Sequence, residues 1–207
     1  MNWLHIGSSP SVLEYLPRAR QENRIDKTIT CNAGILLEPR PDYYAAVDFP
    51  SQRRFVEQAR AAQQNGTRLI TMRREPQAMR DRDCDWYDEF IVMPDGGPPT
   101  RDKWGAFQYT GPMCVEYAIR HGAKCVILVG CDGYTGVNDY FDGWNNDHAD
   151  PNFRYERMTI HHLKPRLQQL ARLFPEVQFL QYGDPVYAVD ADNWRVIGTG
   201  LGSMACL

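Results

Sequence analysis

A chain of 207 residues, 43% hydrophobic and 24% charged, has room for one soluble α/β domain with a real core. Its net charge of -3 and the absence of a basic stripe exclude a dedicated nucleic-acid binder, and no apolar run approaches a membrane span. Residues Met1 to Ile6 lack the basic and apolar regions of a signal peptide, so the expected location is cytoplasmic.

The charge is uneven. Residues 1–83 carry a net +3 and residues 84–207 a net -6. A mildly basic half suits phosphate contact through arginine, and equally a set of solvated helix faces. The six cysteines, Cys31, Cys84, Cys114, Cys125, Cys131 and Cys206, show no C-x-x-C pair. Spacing alone makes them reduced packing residues, and no metal site is expected from it.

In chain order, Trp3 to Ile6 reads as a first strand, Gly7 to Ser11 as a turn, and Val12 to Arg20 as a short helix. Lys27 to Cys31 is a second strand ended by Asn32, and Tyr43 to Val47 a third ended by Asp48. Pro50 and Ser51 open a helix through Phe55, Val56, Ala59 and Ala62, which stops at Asn65 and Gly66. Arg68 to Met72 and Trp86 to Met93 are the fourth and fifth strands, followed by a Gly/Pro loop from Pro94 to Pro99.

The most informative stretch comes next. Thr110 is a good N-cap, Pro112 fits a first helical turn, and Met113, Val115, Ala118 and Ile119 recur at helical spacing before Gly122. Cys125 to Val129 is a short apolar run, as in a strand buried on both faces. Asp132 then opens a polar loop that runs to Asn152, a length that points to function or to disorder.

Arg154 to Phe174 reads as one long helix with Leu163, Leu167, Leu170 and Leu173 inward and a kink or break at Pro165. Val177 to Leu180 is a last sheet strand. Tyr187 to Ile197, turning at Asp190 to Asn193, reads as a terminal hairpin, and Gly198 to Leu207 as a poorly specified tail. Alternating strands and helices predict a Rossmann-like α/β fold: one nucleotide-binding domain over 1–207, with a largely parallel sheet flanked by helices. The polar loop, 135–153, is an insertion, and 181–207 a C-terminal extension.

In such sheets ligands bind at the carboxyl ends of the strands. Gly7, Ser8 and Ser9 follow the first strand, and a glycine turn with hydroxyls at a helix start suits a phosphate or ribose, or is simply a capped turn. The stretch has neither the Walker ending nor a full G-x-G-x-x-G. Asn32 and Asp48 end the next two strands, where Asn can read a base or ribose and Asp can hold a ribose hydroxyl or a metal. Both residues also form ordinary turns.

Asp132, at the end of the buried strand, is the acidic residue most tied to the sheet edge. The other acids of its loop, among them Asp139, Asp142, Asp147 and Asp150, do not fit an EF-hand. His148, His161 and His162 are the acid/base candidates, while His5 and His121 read as structural. No H-E-x-x-H and no G-x-S-x-G is present.

One further pattern spans residues 3–135. Gly7 to Ser11 reads Gly-x-x-Pro-Ser, Thr30 to Asn32 reads Thr-Cys-Asn, and Pro41 to Asp48 reads Pro-Asp-Tyr-Tyr-x-x-x-Asp. Thr110 to Gly122 follows with Thr-Gly, Ala-Ile and a closing Gly, and Val126 to Asp132 ends Val-Gly-Cys-Asp. The order and spacing of these blocks resemble bacterial sialyltransferases that modify lipo-oligosaccharide, and equally the related proteins named for a pterin pyrophosphokinase.

The sialyltransferase resemblance implies a cytidine-monophosphate sugar donor, catalysis without metal, and a histidine base. Gly7, Ser8 and Ser9 would meet the donor's phosphate or ribose, Asn32 the leaving phosphate or the base, and Thr110 and Gly111 the nucleotide's other side. This chain departs from that pattern at Ser8, where the family has Asn, and at Thr110, where it has Ser. The pyrophosphokinase branch implies ATP and Mg²⁺, with Asp132 or Asp48 as ligands.

The expectation is therefore a glycosyltransferase-like enzyme that moves a sugar from a nucleotide-sugar donor to a hydroxyl acceptor. His148 is its candidate base, and Asp132 stands beside it as a catalytic candidate. The alternatives are a Mg²⁺-dependent ATP diphosphotransferase acting on a hydroxymethyl pterin-like or pyrimidine-like ring, including one in modified DNA, and a non-catalytic nucleotide-binding or assembly protein. A homo-oligomer is compatible with all three.

Overall fold

The structure, a computed structural model, describes residues 1–47, 54–74, 86–93, 99–105, 110–134, 139–143 and 154–198. Eight strands form one sheet: β1 (Asn2–Ile6), β2 (Lys27–Cys31), β3 (Tyr43–Ala45), β4 (Arg68–Arg74), β5 (Glu89–Met93), β6 (Cys125–Val129), β7 (Gln178–Tyr182) and β8 (Trp194–Ile197). Their order is β5-β4-β3-β2-β1-β6-β7-β8, and every neighbouring pair is parallel. This is a Rossmann-like α/β fold. The direction of winding reverses between β1 and β6, so the loops leaving those two strands diverge and open a crevice.

The α-helices among the described residues are α1 (Val12–Glu22), α2 (Val56–Gln64), α3 (Thr110–Arg120) and α4 (Lys164–Leu173). Successive strand side chains point to opposite faces, which sorts the core. Leu4 and Ile6 of β1, with Ile127 and Val129 of β6, pack on Val12, Tyr15, Leu16 and Ala19 of α1. Farther along the same face, Tyr44 and Leu69 pack on Ala59 and Ala62 of α2. Trp3, Ile29, Ala45, Ile70, Val126 and Leu128 point the other way, onto Met113, Tyr117 and Ala118 of α3 and Leu167 and Leu170 of α4. Both faces are covered, which is why β6 reads as an unbroken apolar run.

The predicted helix over Arg154 to Phe174 is divided. Arg154–Leu163 is π-helical, and α4 begins at Lys164 with Pro165 in its first turn. Proline has no N–H to donate to the preceding turn, so a regular helix restarts there and does not run through.

The predicted terminal hairpin is not formed. β8 pairs parallel to β7, with Phe179 opposite Trp194 and Tyr182 opposite Ile197. The side-chain amide of Asn193 lies 2.8–3.1 Å from the carbonyls of Ala171, Phe174 and Val177. That anchor returns the chain to the amino end of β7, so β8 can only run alongside in the same direction. The Asp190 to Asn193 segment is thus the end of a crossover. The tail from residue 199 lies outside the described residues.

Candidate functional site

The two loops at the point of reversal touch closely. The Gly7 amide donates to the Val129 carbonyl (2.8 Å) and the Ser9 amide to the Gly130 carbonyl (3.0 Å). A Cβ on Gly7 would lie 2.2 Å from the Gly130 oxygen, and Gly130 itself has φ +70. Only glycine at both places lets the β1 and β6 exits pack backbone to backbone.

Above this floor lies a cavity of about 130 Å³, open on one side. It is lined by Gly7, Ser8 and Ser9 after β1, Cys31 and Asn32 after β2, Thr110, Gly111 and Pro112 at the start of α3, and Gly130, Cys131, Gly133 and Tyr134 after β6. His5, Asp139, Tyr140, Met158 and Leu163 complete the wall. Of the sequence-predicted binding residues, Gly7, Ser8, Ser9, Asn32, Thr110 and Gly111 all meet here. Asp48 and His148 lie outside the described residues.

The roles expected of these residues change on inspection. The Gly7 and Ser9 amides are consumed by the β6 loop, so they are not available to an anion. The Ser8 hydroxyl donates to the Cys31 carbonyl at 3.4 Å, and the Ser9 hydroxyl accepts from the Asp132 amide at 3.3 Å. Ser11 does not cap α1; its hydroxyl donates to the Asp132 carboxylate. The amides of Val12, Leu13 and Glu14 reach back to the carbonyls of Ser9, Pro10 and Ser11. The helix start that faces the cavity is that of α3, whose Thr110, Gly111 and Pro112 line the wall.

Asn32 carries the clearest sign of a binding role. Its φ of +48 is the only positive value outside glycine among the described residues. Asparagine enters this region more readily than other side chains, so the turn leaving β2 suits Asn at this place. Its side-chain oxygen is buried with no hydrogen-bond partner, in the wall of the cavity.

Asp132 is turned away from the cavity. Its carboxylate meets Ser11 on the α1 side, its other oxygen is buried without a partner, and a Cβ on Gly183 would fall 2.1 Å from that oxygen. Burial lifts its pKa to about 6; the Ser11 hydroxyl opposes the rise and the charge of Asp184 adds to it. His161 and His162 belong to the π-helical stretch, whose contribution to the cavity is Met158 and Leu163. Burial, then Arg157 and Arg166, holds the His162 imidazole below its ordinary value.

Several residues of the site were not singled out in the sequence, where Tyr134 and Asp139 stood only as members of the acidic loop. Asp139, 4% exposed, is the carboxylate on the cavity wall among the described residues. Tyr134 and Tyr140 stand edge to face with ring centroids 6.1 Å apart. Their signal was the aromatic content of a loop otherwise read as acidic. His5, expected to be structural, is fully buried yet reaches the cavity wall. His121 does have the structural setting expected of it, stacked on Tyr117 at 3.9 Å and bonded to the Tyr117 carbonyl.

His5 sits among thiols. One ligand atom each from His5, Cys31 and Cys114 lie within 4.8 Å of one another, all three residues buried. Cys131 stands beside His5 as well, and burial pushes its thiol up. Compared with known protein families, with curated proteins and with solved structures, the chain matches none of them. No helix among the described residues is long and apolar enough to cross a membrane.

Proposed function

We propose that this protein is a nucleotide-dependent transferase of the glycosyltransferase kind, which holds a nucleotide-sugar in the β1/β6 crevice and passes the sugar to a hydroxyl acceptor. The observation that carries this reading is the convergence of Ser8, Asn32 and Thr110, from three separate segments, on one cavity at the reversal of strand order. Such crevices are where doubly wound sheets hold nucleotides.

The donor phosphate belongs at the first turn of α3. There the positive end of the helix and the Thr110 hydroxyl stabilise negative charge, and the charge grows as the bond from sugar to phosphate breaks. The unpartnered oxygen of Asn32 takes a hydrogen bond from a ribose hydroxyl or a base amino group. Tyr134 and Tyr140 offer ring faces to the base, which by resemblance is cytosine. Asp139 on the wall, or His148 as expected from the sequence, takes the acceptor's proton.

Calorimetry with cytidine, uridine, adenosine and guanosine nucleotides and their sugar conjugates, with and without Mg²⁺, tests the proposal. One nucleotide is expected to bind at one per chain without metal. Asn32→Ala and Thr110→Val should each weaken it about 10-fold, the worth of a hydrogen bond to a charged or buried partner. Binding confined to ATP with Mg²⁺ would replace the reading with diphosphate transfer. Failure of every nucleotide would remove it.

A further inference from the structure

Beneath the cavity, the His5 imidazole is in an unusual position. It is fully buried, its Nδ1 lies 3.4 Å from the Ile29 carbonyl, and its Nε2 has no oxygen or nitrogen partner, with the Cys31 and Cys131 thiols beside the ring. A buried, unsatisfied ring nitrogen is costly, and native cores rarely tolerate one without a purpose. The arrangement is the one histidines adopt on metals: one ring N–H held by a backbone carbonyl, which fixes the tautomer and leaves the other nitrogen as a lone-pair donor.

The groups around it are soft donors. Cys31 leaves the end of β2 and Cys114 projects from the first turns of α3; neither is in a disulfide. Both belong to the packed layer between the sheet and α3. Their donor atoms and that of His5 lie within 4.8 Å of one another. A tetrahedral zinc ion with bonds of about 2.3 Å to sulfur sets its ligands about 3.8 Å apart. The three groups therefore need to close by about 1 Å, which small side-chain rotations supply. Cys31, His5 and Cys131 also line the cavity, so an ion has a path in and a fourth position on the cavity side.

We infer that His5, Cys31 and Cys114 form a zinc site beneath the crevice, with its fourth position toward Cys131. The set of nitrogen and thiolate donors suits zinc over magnesium or calcium, which take oxygen ligands. As each sulfur bonds the ion, its proton passes to solvent. The ion would tie the ends of β1 and β2 to the start of α3, the helix that opens on the cavity. This inference does not depend on the nucleotide reading, because its test contains no nucleotide.

The test is titration of the reduced, chelator-treated full chain with Co²⁺, followed by displacement with Zn²⁺. One equivalent is expected, with a sulfur-to-cobalt charge-transfer band and the strong visible bands of tetrahedral cobalt. Cys31→Ser/Cys114→Ser should remove the charge-transfer band and weaken binding by at least about 100-fold. His5→Gln should weaken it while circular dichroism confirms the fold. Cys84→Ser/Cys206→Ser, altering thiols outside the described residues, should leave the stoichiometry and spectrum unchanged. Absence of the charge-transfer band in the unaltered chain, or its loss in the Cys84/Cys206 variant with retention in the Cys31/Cys114 variant, would overturn the assignment.

Discussion

Replacing Asp132 by asparagine exposes what the β6 loop costs the fold. The Asp132 side chain is 8% exposed, with one oxygen on the Ser11 hydroxyl and the other unpartnered. Its pKa stands at about 6 in the folded protein against an ordinary 3.8. At about 1.4 kcal/mol per pH unit, that difference amounts to roughly 3 kcal/mol. The sign follows from which state holds the proton. Below pH ~4 both states are protonated and the folded state keeps its full stability. Between pH ~4 and ~6 the unfolded chain ionises while the folded one keeps its proton, so stability falls as pH rises, and it levels off above ~7. Asparagine does not ionise. Urea melts of both proteins at pH 4, 5, 6, 7 and 8 read the difference directly. The Asp132→Asn variant should gain on the parent by about 2–3 kcal/mol from the acid end to the alkaline end, whatever offset the lost carboxylate leaves at pH 4. A difference that stays flat, or shrinks as pH rises, would refute the argument that Asp132 is buried at a cost.

Gly7→Ala should lose about 3 kcal/mol or more in urea melts, because its Cβ falls 2.2 Å from the Gly130 oxygen and backbone cannot yield cheaply. Unchanged stability would mean that the two loops do not meet. Arg120→Met should cost about 3–5 kcal/mol, since it strips the ion pair from Glu116, whose side chain is 0% exposed. The double variant Glu116→Leu/Arg120→Met should recover part of that loss, the rest being the Arg120 bonds to the carbonyls of Thr100, Arg101 and Lys103 and the Gly105 amide bond to Glu116; no recovery at all would locate the cost elsewhere than in a stranded charge.

The elements legible in the sequence were those with a local signature. β2 and β6 begin and end where their apolar and β-branched runs do, and α3 begins at its Thr-Gly-Pro start. The hairpin over Tyr187 to Ile197 failed because local turn chemistry at Asp190 to Asn193 is silent about direction. It was Asn193, reaching three carbonyls at the end of α4, that set β8 parallel. The site was half legible. Six predicted residues line the cavity because polar residues at strand ends and at a helix start necessarily face the carboxyl edge. The orientation of Asp132 was less accessible, although it sits one residue beyond Cys131, which faces the cavity while Asp132 faces α1.

Periodicity and turn chemistry act over a few residues, so this chain's own letters determined most of its strands, the helices α1 and α3, and the α/β class. Which strands became neighbours depended on how apolar faces far apart in sequence were buried together. That choice put the reversal between β1 and β6, and it brought residues 5, 31 and 114 to one buried spot that no spacing along the chain announces.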